Sequence, residues 1–250
     1  MPETVVLLHG FTQTGVSWDP VIAALGERYR ALAPDGRGHG RMGAVRPVSF
    51  EAVVDDVAAL APERFVLAGY SMGGRVALHF ALAHPDRVAQ LVLVGATAGI
   101  EDEQDRAERR AADERLAAEI ERDGVEAFSR RWARQPLFAD QPAAVTAGAH
   151  ADRLRQSAAG LAAALRGIGT GAMTPLWDRL GELSMPVLAL AGERDAKFRA
   201  LAERIAEGAP CGEHAVIPAA GHAAHLEAPV EVARWLGGAS PNQRESSGSS

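Results

Sequence analysis

Residues 64–75 read Arg-Phe-Val-Leu-Ala-Gly-Tyr-Ser-Met-Gly-Gly-Arg, RFVLAGYSMGGR. The first half is an unbroken apolar run, which suits a strand buried on both faces. The second half opens a helical pattern over 72–84. The motif Gly69-Tyr70-Ser71-Met72-Gly73 therefore falls where a strand turns into a helix, the context that G-x-S-x-G requires. Its glycines permit a turn too tight for a side chain. Such a turn lifts the Ser71 hydroxyl above the sheet. It also sets the Met72 amide at a helix N-terminus, where it can stabilise negative oxygen. The alternative is an ordinary junction with a capping serine; the surrounding pattern favours the nucleophile.

Working outward, the same kind of run recurs at TVVLLHG (4–10), RALAPD (30–35), VAQLVLVG (88–95), PVLALAGE (186–193) and EHAVIP (213–218). Helical patterns lie between them, around 17–27, 49–61, 197–208 and 228–236. Strands alternating with helices predict an α/β fold, a mostly parallel sheet with helices on both sides. The alternation breaks over 97–180, which is helical and strand-poor and reads as an inserted helical cap. The core then comprises 1–96 and 181–238. The charge run at 101–123 is expected to be a solvated helix face. Residues 239–250, polar and small, are expected to be disordered.

Composition bounds the function. At 250 residues the chain can bury one sizeable core, and its net charge of −6 offers no basic excess for nucleic acid. No basic leader or long apolar segment is visible, so neither a secretory signal nor membrane insertion is expected, and a cytoplasmic protein is predicted. The lone Cys211 excludes an internal disulfide; its ordinary reading is a small apolar residue near a strand start. Of 26 basic residues all but Lys197 are arginine, which marks that lysine for notice.

A nucleophilic serine needs a base, and the base needs a group to orient it. Asp195 closes the strand of PVLALAGERD, and His222 lies in AAGHAAHLEAP after the last strand. Both occupy strand C-terminal ends, the rim where open α/β sheets bind ligands. His225 and His214 are rival bases that fit less well, inside a helix start and at a strand start. A metal set of His222, His225 and Glu227 is a weak alternative, so no metal is expected. LLHGF (7–11) offers the Phe11 amide as a second oxyanion donor, with His9 bracing its loop. The glycine-rich DGRGHGRM (35–42) lacks P-loop spacing and reads as a shaping loop.

In the order Ser, acid, His, these residues resemble the α/β-hydrolase superfamily, with the usual first two strands of that fold missing. GYSMGGR, RWARQPLF, RLRQSAAGLAAALRGIGTGAMTPLW, GERDAKFR and AGHAAHLEAP together resemble one family, the 2-succinyl-6-hydroxy-2,4-cyclohexadiene-1-carboxylate synthases of menaquinone biosynthesis. The resemblance covers most of the chain and departs at QSAAG and at RWARQPLF, where relatives carry other polar or aromatic residues.

That resemblance implies a lyase that eliminates pyruvate from a small anionic substrate bearing several carboxylates. It implies no metal, nucleotide or flavin. Arg75, Arg109 and Arg153 would hold the carboxylates, Tyr70 and Trp132 would line the pocket, and Lys197 falls in the family pattern. Plain alternatives stand beside each: a solvated Arg109 next to Arg110, Arg155 in place of Arg153, Trp132 as core, and Lys197 as a surface residue. Two other functions stay open. One is a carboxylester or carbon–carbon bond hydrolase with an acyl-serine intermediate; the other is a non-enzymatic ligand-binding relative. A monomer or small homo-oligomer is expected.

Overall fold

Along a strand successive side chains point to opposite faces, so a run that is apolar throughout needs cover on both. The computed structural model describes residues 2–138 and 140–238; the expectation for 239–250 lies outside them. It contains the six expected strands: β1 (Glu3–Leu8), β2 (Tyr29–Leu32), β3 (Phe65–Tyr70), β4 (Val88–Val94), β5 (Val187–Gly192) and β6 (Gly212–Ile217). All pair in parallel, in the order β2-β1-β3-β4-β5-β6.

The alternation sorts into two cores. On one face Val6, Leu8, Leu67 and Leu91 pack under α2 (Phe50–Leu60), α3 (Met72–Ala83) and α7 (Ala196–Gly208). On the other, Val5, Leu7, Val66 and Val92 meet α1 (Asp19–Leu25), Trp18 and the last helix. The last helical pattern forms α9 (Pro229–Leu236), and a short α8 (Ala224–Glu227) precedes it. Pro229 takes the first position of α9, where a missing N–H costs nothing.

From β1 the sheet grows to β2 on one side and then, across β1, to β3 on the other. The order thus reverses between β1 and β3, and at such a point the loops leaving two neighbouring strands part and open a crevice. The loops concerned are His9–Thr14 and the turn at Ser71.

Between β4 and β5 the described chain is helical. The helix α4 (Glu103–Trp132) bends at Gly124, whose φ is 79°. It is followed by α5 (Ala143–Arg153) and α6 (Ala158–Ile168). Ile120, Phe128, Leu161 and Leu165 give this stretch its own apolar cluster, which meets the sheet through Phe11 and Trp132. The charged face of α4 is solvated, as expected; its Glu114 and Glu121 share Arg166 of α6. Cys211 directly precedes β6, at the strand start expected, and is exposed. No helix among the described residues is long and apolar enough to cross a membrane.

Gly73 shows how closely the turn is built. A Cβ there would stand 2.1 Å from the Leu8 carbonyl oxygen and 2.6 Å from that of His9, so α3 leans directly on the end of β1. Gly73→Ala is expected to cost about 1–3 kcal/mol of stability. Urea unfolding of the variant against the native chain reads this out as a lower midpoint at unchanged slope.

Candidate active site

Ser71 adopts φ 50° and ψ −106°, a conformation that side chains rarely take. Its amide donates to the Val94 carbonyl at 2.9 Å, and its own carbonyl accepts from Arg75 as the first helical bond. The amides of Met72, Gly73 and Gly74 therefore precede the intrahelical ladder and point out of the helix start. Gly69 is required as well, since a Cβ there would stand 2.3 Å from the Gly73 carbonyl oxygen.

Three loops meet at this turn. His222 Nδ1 donates to Asp195 Oδ2 at 2.7 Å, and its Nε2 lies 3.4 Å from the Ser71 hydroxyl oxygen. Asp195 and His222 are both buried, and Asp195 Oδ1 also caps α7 by accepting from the Phe198 amide. With Nδ1 holding a proton toward Asp195, Nε2 is left to accept the proton of Ser71. The ring is flanked by Phe198 at 4.4 Å and Tyr70 at 5.3 Å between centroids.

The loop after β1 supplies the facing edge. His9 Nδ1 donates to the Gly10 carbonyl and its Nε2 accepts from Gly36, so the ring joins this loop to the glycine-rich loop. The amides on either side of Phe11 are engaged, Gly10 with Gln13 Oε1 and Thr12 with His39 Nε2. No hydrogen bond of the Phe11 amide is found among the described residues. The Phe11 ring touches Trp132, which is half-buried and continues through Phe138 to His222.

The arginines divide sharply. Arg75 is 6% exposed and Arg153 5% exposed, yet neither has a carboxylate partner among the described residues. Arg75 Nη1 donates to the Thr170 hydroxyl, and Arg153 Nε donates to the Ser129 hydroxyl at 2.9 Å. Burial pulls the Arg75 guanidinium down to about 10, nearby Arg109 adds to the effect, and Asp113 opposes it. Burial likewise lowers Arg153. Arg109 itself is half exposed and ion-paired with Asp113 at 2.8 Å, between the solvated reading and the buried one. Its neighbour Arg110 turns to the Gly171 carbonyl. Arg155, the rival of Arg153, is exposed. Lys197 is exposed too, its ammonium 5.8 Å from the Phe198 ring centroid.

Other candidates are engaged elsewhere. His214 is exposed on β6. His225 is wedged between Tyr70 at 4.1 Å and Trp18 at 4.8 Å. Glu227 pairs with Arg194 at 2.6 Å and accepts from the Gly221 amide, steadying the residue before His222. A cavity of about 970 Å³ reaches Met72, Gly73 and Val76 but touches none of the three triad residues. A smaller one of about 230 Å³ borders Asp195 and His222 beside Arg194 and Glu227.

Reading the sequence missed several contributors. Asp152 accepts from both the amide and the hydroxyl of Thr14, at 2.8 and 2.6 Å, clasping α5 to the loop that carries Phe11. Gln156 spans Gly40 and Thr12. Thr170, Asp113 and Ser129 hold the arginines. Apart from Asp113, four residues from Arg109 on the same helix, each partner lies far away in sequence, so no spacing advertises it.

With this geometry in view, known proteins can be compared. The profile of the alpha/beta hydrolase family matches residues 5–235. A protein of Bacillus subtilis (strain 168), named provisionally as a 2-succinyl-6-hydroxy-2,4-cyclohexadiene-1-carboxylate synthase, is 38% identical over 91% of this chain and 86% of its own. A protein of Salmonella schwarzengrund (strain CVM19633) with that name is 36% identical over 92% of this chain and 90% of its own. The solved structure of MenH from S. aureus superposes with a TM-score of 0.90 at 32% identity, covering 94% of this chain and 92% of that one.

His225 provides a pH test of the packing behind Tyr70. Burial, with His222 and His9 nearby, holds its imidazole down to about 3, against about 6.5 when unfolded. Between those values the unfolded chain binds the extra proton, so stability is lost as pH falls below about 6.5. Neither ring nitrogen has a hydrogen-bond partner among the described residues, so phenylalanine can replace the ring without leaving a group unpaired. Going from pH 7.5 to pH 5, His225→Phe is expected to lose less unfolding free energy than the native chain, by on the order of 1–2 kcal/mol.

Proposed function

Since the chain belongs to the alpha/beta hydrolase family and, within it, to the 2-succinyl-6-hydroxy-2,4-cyclohexadiene-1-carboxylate synthases, we propose that it is a menaquinone-biosynthesis lyase. It eliminates pyruvate from 2-succinyl-5-enolpyruvyl-6-hydroxy-3-cyclohexene-1-carboxylate. The observation that carries the reading is the pair of buried guanidiniums, Arg75 and Arg153, bonded to hydroxyls instead of carboxylates. A buried charge is costly unless paired. A substrate with several carboxylates supplies the missing partners, in the bidentate geometry that arginine favours. A neutral ester does not.

In this mechanism Ser71 and His222 move a proton. His222 Nε2 draws the Ser71 hydroxyl proton, and the serine oxygen takes the ring C–H proton alpha to the succinyl carbonyl. The electron pair of that C–H bond enters the conjugated system, the ring C–O bond to the enolpyruvyl group breaks, and the departing enolate collects a proton to become pyruvate. Asp195 holds the imidazole in the required tautomer and stabilises it once protonated. Charge gathers on the succinyl carbonyl oxygen, where the amides of Met72 and Phe11 would receive it. The serine–histidine separation of 3.4 Å is long for proton transfer and would tighten with substrate bound. Tyr70 and Trp132 line the ring site, and Arg109 and Lys197 stand at its rim. The helical stretch 97–180 serves as the cap that covers the substrate.

Mixing purified protein with this substrate and following pyruvate tests the proposal. Ser71→Ala is expected to lower kcat on the order of a thousandfold. Arg75→Gln is expected to raise KM at least about tenfold. Turnover of neutral p-nitrophenyl esters should be feeble and without a burst. Rapid ester turnover with no pyruvate release would instead establish the acyl-serine hydrolase.

A further inference from the structure

A guanidinium offers five N–H donors, and how it is tied decides which of them face a ligand. Arg153 is tied by Nε alone. No hydrogen bond of its two terminal nitrogens is found among the described residues, so the fork that grips carboxylates stays free. The acceptor is the hydroxyl of Ser129, fully buried on α4, and that oxygen also lies 2.8 Å from Nδ1 of His150, one turn before Arg153 on α5.

Arginine can only donate, so Ser129 Oγ accepts from Nε. The oxygen keeps one proton and one lone pair, so it bonds His150 Nδ1 in either tautomer of the ring. We propose that Ser129 and His150 are positioning residues for substrate binding. They fix the plane of the Arg153 guanidinium without neutralising it.

Chemistry explains the choice of a hydroxyl. A carboxylate at position 129 would pair with Arg153 and compete with the substrate, whereas a hydroxyl orients the group and leaves its charge to the ligand. The backbone of α5 is anchored separately, through the clasp between Asp152 and Thr14. The neighbouring Asp152 thus ties this end of α5 to the loop carrying Phe11, while the Arg153 side chain is tied to α4. This inference rests on the reading of Arg153 as a carboxylate contact made above.

The test measures kcat and KM for pyruvate release, with thermal midpoints, in Ser129→Ala, His150→Ala, His150→Asn, Arg153→Ala and the double variant Ser129→Ala/Arg153→Ala. Loss of one hydrogen bond to a charged group predicts a KM raised about tenfold in Ser129→Ala and His150→Ala, with kcat within about twofold. Asparagine at 150 keeps an acceptor near Nδ1 and should restore KM. The double variant should be no worse than Arg153→Ala, because the serine acts through the arginine. Normal KM in a folded Ser129→Ala or His150→Ala, or additive losses in the double variant, would overturn the proposal while leaving the lyase reading intact. Unchanged KM in Arg153→Ala would remove the carboxylate contact and this proposal with it. A native protein that releases no pyruvate would overturn the lyase reading first.

Discussion

A guanidinium taken out of water must find negative charge, and in this fold two are taken out of water with no carboxylate bonded to either among the described residues. Arg75 rides the first turn of α3, one turn past Ser71, and meets a threonine hydroxyl. Arg153 sits at the end of α5 and meets a serine hydroxyl. Desolvation of this kind is tolerated where a ligand completes the pairing. In the proposed function a substrate bearing several carboxylates completes both pairs.

The triad and Arg153 come from different layers of the molecule. The sheet supplies the triad, because the parallel strands β3, β5 and β6 end at the same edge and the turns that follow them carry Ser71, Asp195 and His222. The reversal of strand order beside β1 adds the Phe11 loop. The helical stretch supplies Arg109, Arg153 and Trp132, while Thr170, just after α6, bonds back to Arg75 on the core helix. Aromatic contacts from Phe11 through Trp132 and Phe138 to His222 run along the seam between the layers. The clasp between Thr14 and Asp152 crosses the same seam, so the polar machinery of the two layers is held in register by both kinds of contact.

The sheet was plain in the sequence because strands covered on both faces must be apolar throughout, and runs such as VLALAG are hard to read otherwise. The order Ser71, Asp195, His222 followed from the ends of those runs. The one-turn α8 lay outside the helical patterns, being too short to show a period. The partners of the arginines were beyond reach for a different reason. Arg75 and Thr170 are separated by 95 positions, and Thr14 and Asp152 by 138. Pairs across such distances leave no periodic trace, and in a chain this rich in arginine the residue type alone does not separate a buried cation from a solvated one. Arg109 illustrates the point, since it lies half exposed on a charged helix and still bears on Arg75.

The account stands most directly on what the buried cations bind. Calorimetric titration of the native protein with an aromatic succinyl dicarboxylate, and with its dimethyl ester of nearly the same shape, addresses this without reference to turnover. The dicarboxylate is expected to bind at least about a hundredfold more tightly than the ester, since two charge-assisted pairs are at stake. Equal affinity for the two compounds would contradict the account.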